Sequence, residues 1–452
     1  MDKLNLEEIA EMVEGKIKEK RNDAFADNVF IDSRLGKAHG VFFALSGTVT
    51  DGHNFIKSAV ENGAVTVVVS MECESFGANV IMVEDTFKAL QKMAKAYRER
   101  FNIPFISITG SSGKTTNKDL IVCVLSQKYN VHKTIGNFNS STGVPLTLFE
   151  LRHENEISVI ETSMNAPGEI LGNADIVRPE TAVITNIGTA HIEFLGSREN
   201  IFKAKSEVLT YLKKGDTAIV NGDDDLLAGL KSDVFDVVKV GTGNCDYKAF
   251  NINQENGELS FSVLVKGQEQ RFAFAYPGAH NVINCLLAIA VGEKYGLTSE
   301  QIQKGFSQFV PGSNRMQRET INGITLINDA YNANEGSFKA AMDYMCRIAK
   351  GRKVVVAGDM VELGSFSAEI HRKTGENAAD FGIDLLLACG NNAENYKKGY
   401  ISCGGKECVT FADKQKLAAE LKNYLRIGDT VLFKASRGVK LEEVYNKLKE
   451  NL

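Results

Sequence analysis

The sequence predicts an α/β protein built as three domains, and three observations carry that expectation. Short β-branched runs alternate with helical stretches through most of the chain, the pattern of sheets covered by helices. The 452 residues are too many for one ordinary hydrophobic core. In the middle, "ISITGSSGKTTNKDL" (residues 106–120) passes from an apolar run through a Gly/Ser turn into a helical pattern. The expected domains are residues 1–100, 101–312 and 313–452. The second should carry a mostly parallel sheet and the third a Rossmann-like one.

The first domain opens with Leu6, Ile9, Ala10 and Val13 at helical spacing, and Asn5 with Glu8 has the form of a capping box. "AVTVVVS" and "NVIMVED" read as strands, and "FKALQKMAKAYRER" as the helix that leads to Pro104. In the second domain "FISITG", "ISVIETS", "TAVITNIG" and "TAIVNGDD" each place an apolar strand before polar or glycine-rich residues. Ligands of open α/β sheets collect beyond the carboxyl ends of the strands, so these polar residues are the best placed for chemistry. The third domain repeats the grammar in "RKVVVAGDM", "GIDLLLACG" and "DTVLFKAS", and ends on the helical "LEEVYNKLKENL".

Composition narrows the function. A hydrophobic share of 43% and a charged share of 24% are those of a soluble globular protein. The formal charge of -5 argues against a general nucleic-acid binder. No segment offers about 18 unbroken apolar residues, and "MDKLNLEEIAEMVEG" lacks signal-peptide organisation, so a cytoplasmic protein is expected; the sequence leaves the oligomeric state open, with a monomer favoured. The eight cysteines are scattered without a C-x-x-C pair, which fits free thiols in a reducing compartment and not a zinc site.

A strand, a Gly-rich turn and a helix N-terminus together make an anion site, because backbone N–H groups point outward and the helix dipole favours negative charge. Gly110, Ser111, Ser112 and Gly113 form such a turn. Lys114 can reach terminal phosphates, and Thr115, followed by Thr116, can offer its hydroxyl to Mg²⁺. The common P-loop wants a glycine five residues before Gly113, where this chain has Ile108. An ordinary Gly/Ser loop is the competing reading of these residues alone.

The variant "TGSSGKTT" resembles the shortened P-loop of the Mur ligases, the ATP-dependent amide-forming enzymes of peptidoglycan synthesis. The related folylpolyglutamate synthetases carry Gly-Lys-Gly-Ser there, so Thr115-Thr116 favours the Mur side. The resemblance extends through "TIGNFNSSTGVPLTL", "TNIGTAHIEFLGSRENIFKAKSE", "GAHNVINCLLA", "LINDAYNANEGSFKAA", "AGDMVELG" and "SRGVKLE", in the family's order. Within the family it is strongest to the branch that joins D-alanyl-D-alanine to UDP-MurNAc-tripeptide.

The resemblance implies a P-loop ATPase-like central domain, an N-terminal domain for the UDP end of the substrate, and a C-terminal domain that receives the dipeptide and completes the ATP site. It implies an acyl phosphate made from ATP with two Mg²⁺ ions. Thr115 and Glu161 would hold one ion, and His191 and Lys205 the other, with Lys205 as a carbamate. Asn137 would meet the γ-phosphate, Asn281 the base, and Arg315, Asp329 and Tyr331 would complete the nucleotide site. Ser33, Arg34, Asp51 and His53 would receive the UDP end, and Asn332 and Asn334 the dipeptide, although turn chemistry and helix capping account for these six equally well.

Some positions depart from the family pattern. Ser112 replaces the usual Asn, "ETSMNAPGEI" replaces a Glu-x-Gly-Ala sequence, and Ala330 and Glu335 flank "YNAN" in place of Ser and Pro. A divergent ligase with another acceptor, or a nucleotide switch that has lost ligation, are the alternatives. Lys205 carries a signal of its own. At about 100° per residue, Ile201, Val208 and Leu212 share its helical face, while Glu199, Lys203 and Glu207 take the other. A lysine inside an apolar stripe must snorkel, pair or lose its charge.

Overall fold

The computed structural model describes residues 1–47, 50–254 and 257–452. Chain contacts divide it into two compact units: residues Met1–Ile108, Tyr129–Ala182 and Glu207–Asp216 in the first, and Thr109–Lys128, Val183–Ser206 and Thr217–Leu452 in the second.

The first unit begins with helix Leu6–Met12, whose capping box forms as expected: Glu8 N–H donates to Asn5 Oδ1 at 2.8 Å, and Asn5 N–H donates to Glu8 Oε2 at 2.9 Å. A five-stranded sheet follows in the order Lys16–Glu19, Asn79–Met82, Ala64–Val69, Gly40–Phe43, Asn28–Phe30, with only the first strand antiparallel. Both faces are covered. Val41, Phe43, Val68 and Ile81 pack with Leu90, Met93 and Tyr97 of helix Thr86–Glu99, while Phe42, Val67, Val69 and Val80 pack with Ile56 and Ala59. Burial on both sides explains why "AVTVVVS" is apolar without alternation. The same unit holds a parallel trio, Val131–Lys133, Ile157–Glu161 and Phe105–Thr109, in which Glu161 stands at the register of Ile108.

In the second unit the turn at 110–113 leads into helix Lys114–Leu125, which packs on helix Ala279–Lys294. Strands Thr217–Asn221, Asp236–Gly241 and Tyr247–Asn253 are parallel, and Leu259–Val265 and Gln268–Phe274 continue as an antiparallel meander. The meander is an addition to the parallel pattern read from the sequence. Its last strand, QEQRFAF, buries only Phe272 and Phe274, so it gives no apolar run.

The C-terminal sheet has the order Gln317–Ile321, Ile324–Asp329, Thr430–Lys434, Lys353–Ala357, Leu385–Cys389, Cys408–Phe411. Only Gln317–Ile321 is antiparallel. The last strand in sequence enters the middle of the sheet, so Asp329 and Ala357 both stand at the register of Lys434. Carboxyl ends from three strands thus gather at one point, where this architecture binds ligands. Among the described residues no helix is long and apolar enough to cross a membrane.

Candidate functional site

The phosphate turn is held from both flanks. Gly110 has φ +152°, and a Cβ there would lie 1.9 Å from Thr185 Oγ1, so only glycine fits. Thr185 Oγ1 donates to the Ser112 carbonyl at 2.6 Å. Asn186 grips the turn four times: its carbonyl accepts Ser111 N–H at 3.0 Å, Oδ1 accepts Ser112 N–H at 3.0 Å and the Ser112 hydroxyl at 3.3 Å, and Nδ2 donates to the Ser112 carbonyl at 3.1 Å. Gly113, at φ +75°, caps the helix that Lys114, Thr115 and Thr116 begin. Lys114 Nζ donates to the Gly110 carbonyl at 2.9 Å, folded over its own turn. The hydroxyls of Ser111 and Thr109 are buried without a hydrogen-bond partner among the described residues, as suits a cradle built for an acceptor-rich ligand. Thr185 and Asn186 were not singled out in the sequence; their signal was the strand-end position in "TAVITNIG".

Lys205 is buried, with 1% of its surface exposed, and so are Ile201, Val208 and Leu212. Helix Arg198–Ser206 ends before the stripe does, and a 3₁₀ turn over Glu207–Leu209 carries it on. Lys203 is exposed, as expected. Desolvation drives the Lys205 amine well below the ordinary lysine value, and the charge of Lys114 pushes in the same direction. Burial and the Lys114 charge thus both act against the protonated form of Lys205.

His191, at φ +65°, opens the short helix Ile192–Leu195. Its Nδ1 lies 2.6 Å from Glu362 Oε2, in ion-pair contact but off the line of a hydrogen bond. The Glu362 carbonyl also accepts Glu193 N–H at 3.3 Å, and a Cβ on Gly364 would stand 2.9 Å from Glu193 Cγ. The Glu362 carboxyl is held below the usual range by His191, helped by the charge of Lys114 and opposed by burial. Sequence reading quoted "AGDMVELG" as a motif but missed this residue. Its glutamate after an apolar strand was the available sign.

From the C-terminal sheet, Asp329 Oδ1 accepts Met316 N–H at 3.1 Å, and Oδ2 pairs with buried Lys434. Lys434 also donates to the Asn332 carbonyl at 3.1 Å. Its signal was a lysine closing the apolar run of "DTVLFKAS". The Tyr331 ring is half-buried beneath guanidinium groups, Arg315 at 3.9 Å and Arg437 at 5.6 Å from its centre. Asn332 is exposed, and its Oδ1 accepts Ala333 N–H at 2.9 Å. Asn334 caps helix Glu335–Ile348 by accepting Ser337 N–H at 2.9 Å, while its Nδ2 donates to the Ser111 carbonyl of the phosphate turn at 3.3 Å. Asn281 is buried, and its Nδ2 donates to the carbonyls of Tyr276 and Pro277 at 3.2 and 3.3 Å.

In the first unit, Glu161 is buried to 1% exposure and accepts Asn139 Nδ2 at 2.7 Å, while its N–H donates to Thr134 Oγ1 at 2.9 Å. Asn137, in the turn at Gly136 (φ +57°), is exposed. Asn139, two residues on, is the loop residue that reaches Glu161. Ser33 is buried and its carbonyl accepts Asn62 Nδ2 at 2.9 Å. Arg34 forks onto Asp32 at 2.9 and 2.7 Å, which pulls that carboxyl down to about 2. Asp51 accepts His53 N–H at 2.9 Å and Nδ1 at 2.6 Å, which lowers its carboxyl. His53 Nε2 accepts Ser70 N–H at 3.0 Å, so the ring proton is on Nδ1. Both pairs stabilise turns, and Arg34 leaves its guanidinium largely in solvent.

Among the described residues no three His, Cys, Asp or Glu side chains gather around one point. Thr115 and Glu161 are nonetheless hard oxygen donors, and Mg²⁺ characteristically takes one or two carboxylates and completes its shell from substrate phosphates and water. The donor chemistry fits.

Comparison with known proteins gives the family. The family models for the Mur ligase family catalytic domain, the Mur ligase middle domain and the Mur ligase glutamate ligase domain match residues 26–98, 108–292 and 314–437. The UDP-N-acetylmuramoyl-tripeptide--D-alanyl-D-alanine ligase of Bacillus subtilis is 37% identical over 100% of this chain and 99% of its own length. The Escherichia coli ligase of that name is 33% identical over 100% and 99%. A crystal structure of MurF from Acinetobacter baumannii superposes with TM-score 0.92 at 29% identity, covering 100% of this chain and 99% of that one. MurF from Thermotoga maritima in complex with ADP gives 0.84 at 27% identity, covering 94% and 97%. With three family domains in order and relatives matched along their whole lengths, this chain belongs to the Mur ligase family, in its MurF branch.

Proposed function

We propose that this chain is a cytoplasmic ATP-dependent ligase that joins D-alanyl-D-alanine to UDP-MurNAc-tripeptide and releases ADP and phosphate. The observation that carries the reading is the pre-built phosphate turn, with Lys114 donating to the Gly110 carbonyl and Lys205 buried in the same unit. The domains are taken as residues 1–100 for the UDP precursor, 101–312 for ATP, and 313–452 for the dipeptide and the closing side of the ATP site.

In the first step the tripeptide's terminal carboxylate oxygen attacks the γ-phosphorus, the bond to the β-phosphate oxygen breaks, and ADP leaves. In the second the dipeptide nitrogen attacks the acyl carbon, phosphate leaves, and the nitrogen gives up its proton. Two anions must meet in the first step, so the chain has to supply positive charge. Lys114 does so by exchanging the Gly110 carbonyl for phosphate oxygens. Magnesium, when bound, neutralises phosphate charge and aligns the exchanging oxygens; Thr115 and Glu161 would hold one ion, and His191 and Lys205 the other.

Lys205 suits that role as a carbamate. Its neutral nitrogen attacks the carbon of CO₂, the N–C bond forms, and the amine proton leaves to solvent. The product replaces a suppressed cation beside Lys114 with an anion, which relieves like-charge repulsion. Glu362, in contact with His191 Nδ1, would leave Nε2 as the nitrogen available to a metal. Asn137, Asn281, Arg315, Asp329 and Tyr331 complete the nucleotide site in this reading. Ser33, Arg34, Asp51 and His53 receive the UDP end, and Asn332 and Asn334 the dipeptide.

The test is phosphate release from ATP and Mg²⁺ with each peptide substrate withheld in turn, and mass spectrometry of the product. Release that needs both substrates, with a mass gain of one dipeptide, is expected. Release without an acceptor, or nucleotide binding with no turnover, would point to a nucleotide switch, and turnover with a different dipeptide would reassign the acceptor.

A further inference from the structure

Within the second unit, the path from strand Lys353–Ala357 to helix Ser367–Asp380 is tied by its backbone at consecutive residues. Gly358 N–H donates to the Lys434 carbonyl at 3.0 Å, and the Gly358 carbonyl accepts Tyr396 O–H at 3.0 Å. The Asp359 carbonyl accepts Ser436 N–H at 3.1 Å. Met360 N–H donates to His371 Nε2 at 2.9 Å, and Val361 N–H donates to Ser436 Oγ at 3.1 Å. The next residue is Glu362, at φ +62°. Glycine takes that conformation without strain, whereas a residue with a side chain seldom does. Such strain persists only where the surroundings impose it, and it points to a task for the residue that bears it.

The contacts of Glu362 show the task. Met360 and Leu363 on either side are buried, but the Glu362 side chain turns from the core and brings Oε2 to 2.6 Å from His191 Nδ1. His371 and Ser436 take the two amide N–H groups just before it, and neither has exposed surface. The His371 tautomer is dictated. Its Nδ1 lies 2.7 Å from the Ser367 carbonyl, which only accepts, so Nδ1 carries the proton and Nε2 is bare for Met360. The ring stands edge-on to Tyr396 with centres 4.9 Å apart, and burial acts against its protonated form. Ser436 Oγ donates its own proton to the Ala333 carbonyl at 3.2 Å, which leaves its lone pairs to Val361.

We propose that His371 and Ser436 are positioning residues that hold Glu362 against His191. By fixing the peptide planes of residues 360 and 361, they force the turn that aims the carboxylate. This rests on the ligase reading above, in which His191 serves the reaction. A support of this kind acts on turnover through Glu362. A packing role would loosen the C-terminal sheet as a whole.

Hydrogen–deuterium exchange on the ligand-free full chain reads the positioning, and steady-state kinetics of ligation reads its consequence. His371→Leu fills the space but offers Met360 N–H no acceptor, and His371→Gln restores one in its side-chain carbonyl. In His371→Leu, residues 358–364 and 191–196 should exchange about tenfold faster, while helix Ala393–Ser402 stays unchanged. The kcat should fall about tenfold, the worth of one buried hydrogen bond, with KM for ATP within about twofold of wild type. His371→Gln should recover most of both losses. Added to Glu362→Gln, His371→Leu should cost less than about twofold more, because the charge it positions is already gone. Losses that multiply, faster exchange spread through the whole C-terminal sheet, or an unchanged kcat would overturn the proposal. If His371→Leu does not fold, Ser436→Ala, which strips the acceptor from Val361 N–H, carries the same comparison. A wild-type chain that ligates nothing would remove the ligase reading, and the exchange measurement would then decide alone whether His371 holds Glu362.

Discussion

Lys205 was legible as an anomaly, because one lysine interrupts an apolar stripe and periodicity alone says it needs an explanation. Burial to 1% exposure and the push from Lys114 supply that explanation, since both lower the pKa of the amine. Lys205→Ala should lower turnover about a hundredfold, the scale of one lost transition-state contact. Acetate should restore part of it, Lys203→Ala should be nearly silent, and ¹³C-bicarbonate should give a carbamate resonance absent from the Lys205 variant. Full turnover of Lys205→Ala would reject the role. His132 offers a test of stability. It is buried, with Nε2 3.0 Å from the Thr147 carbonyl and Nδ1 2.8 Å from Ser158 Oγ, and burial lowers its pKa from 6.5 to about 4. As pH falls, the unfolded chain takes up that proton first. The stability present above pH 6.5 is therefore lost toward pH 4, by at most about 3 kcal/mol. Urea melts of wild type and His132→Gln should diverge over that window, and parallel curves would show no contribution from this ring.

Strand–turn–helix elements were the easiest to read, because their rules are local. Asn5 and Glu8 lie three residues apart, and the residues of the phosphate turn are contiguous. What holds the turn was not legible. Asn186 lies 74 residues from Ser112, and no periodicity links residues so separated. The strands at 247–274 were missed for a different reason: Tyr247–Asn253 and Gln268–Phe274 leave most of their residues outside the core, and Leu259–Val265 alone carries a buried apolar run between them. The turn itself makes a sharp prediction. Gly110→Ala forces a methyl group to 1.9 Å from Thr185 Oγ1 at φ +152°, so the turn must open. A loss of about 1–3 kcal/mol in stability is expected, together with loss of ATP turnover. Near-wild-type kinetics and melting would mean the turn is softer than its packing implies.

At the scale of the whole chain, residues from the C-terminal sheet domain bear on the phosphate turn and on His191, two places where the proposed chemistry occurs. Asn334 donates to the Ser111 carbonyl, and Glu362 meets His191. The sequence points to Arg315, Asp329 and Tyr331 as the residues by which this domain completes the ATP site; in the structure Asp329 pairs with Lys434, and Arg315 covers Tyr331. Closure of such a domain excludes water from an acyl phosphate, so its ties should act on turnover more than on nucleotide affinity. Asn334→Ser keeps a helix cap but loses the amide donor, and Glu362→Gln keeps the shape but loses the charge. Each should lower kcat with little change in KM for ATP. If both ties hold one closed state, the double variant should depart from additivity by about 0.5–3 kcal/mol, the range for coupled residues. Additive effects confined to KM would show that the two contacts are separate nucleotide-site details, and the closing role would fall to Lys434 and Arg437 instead.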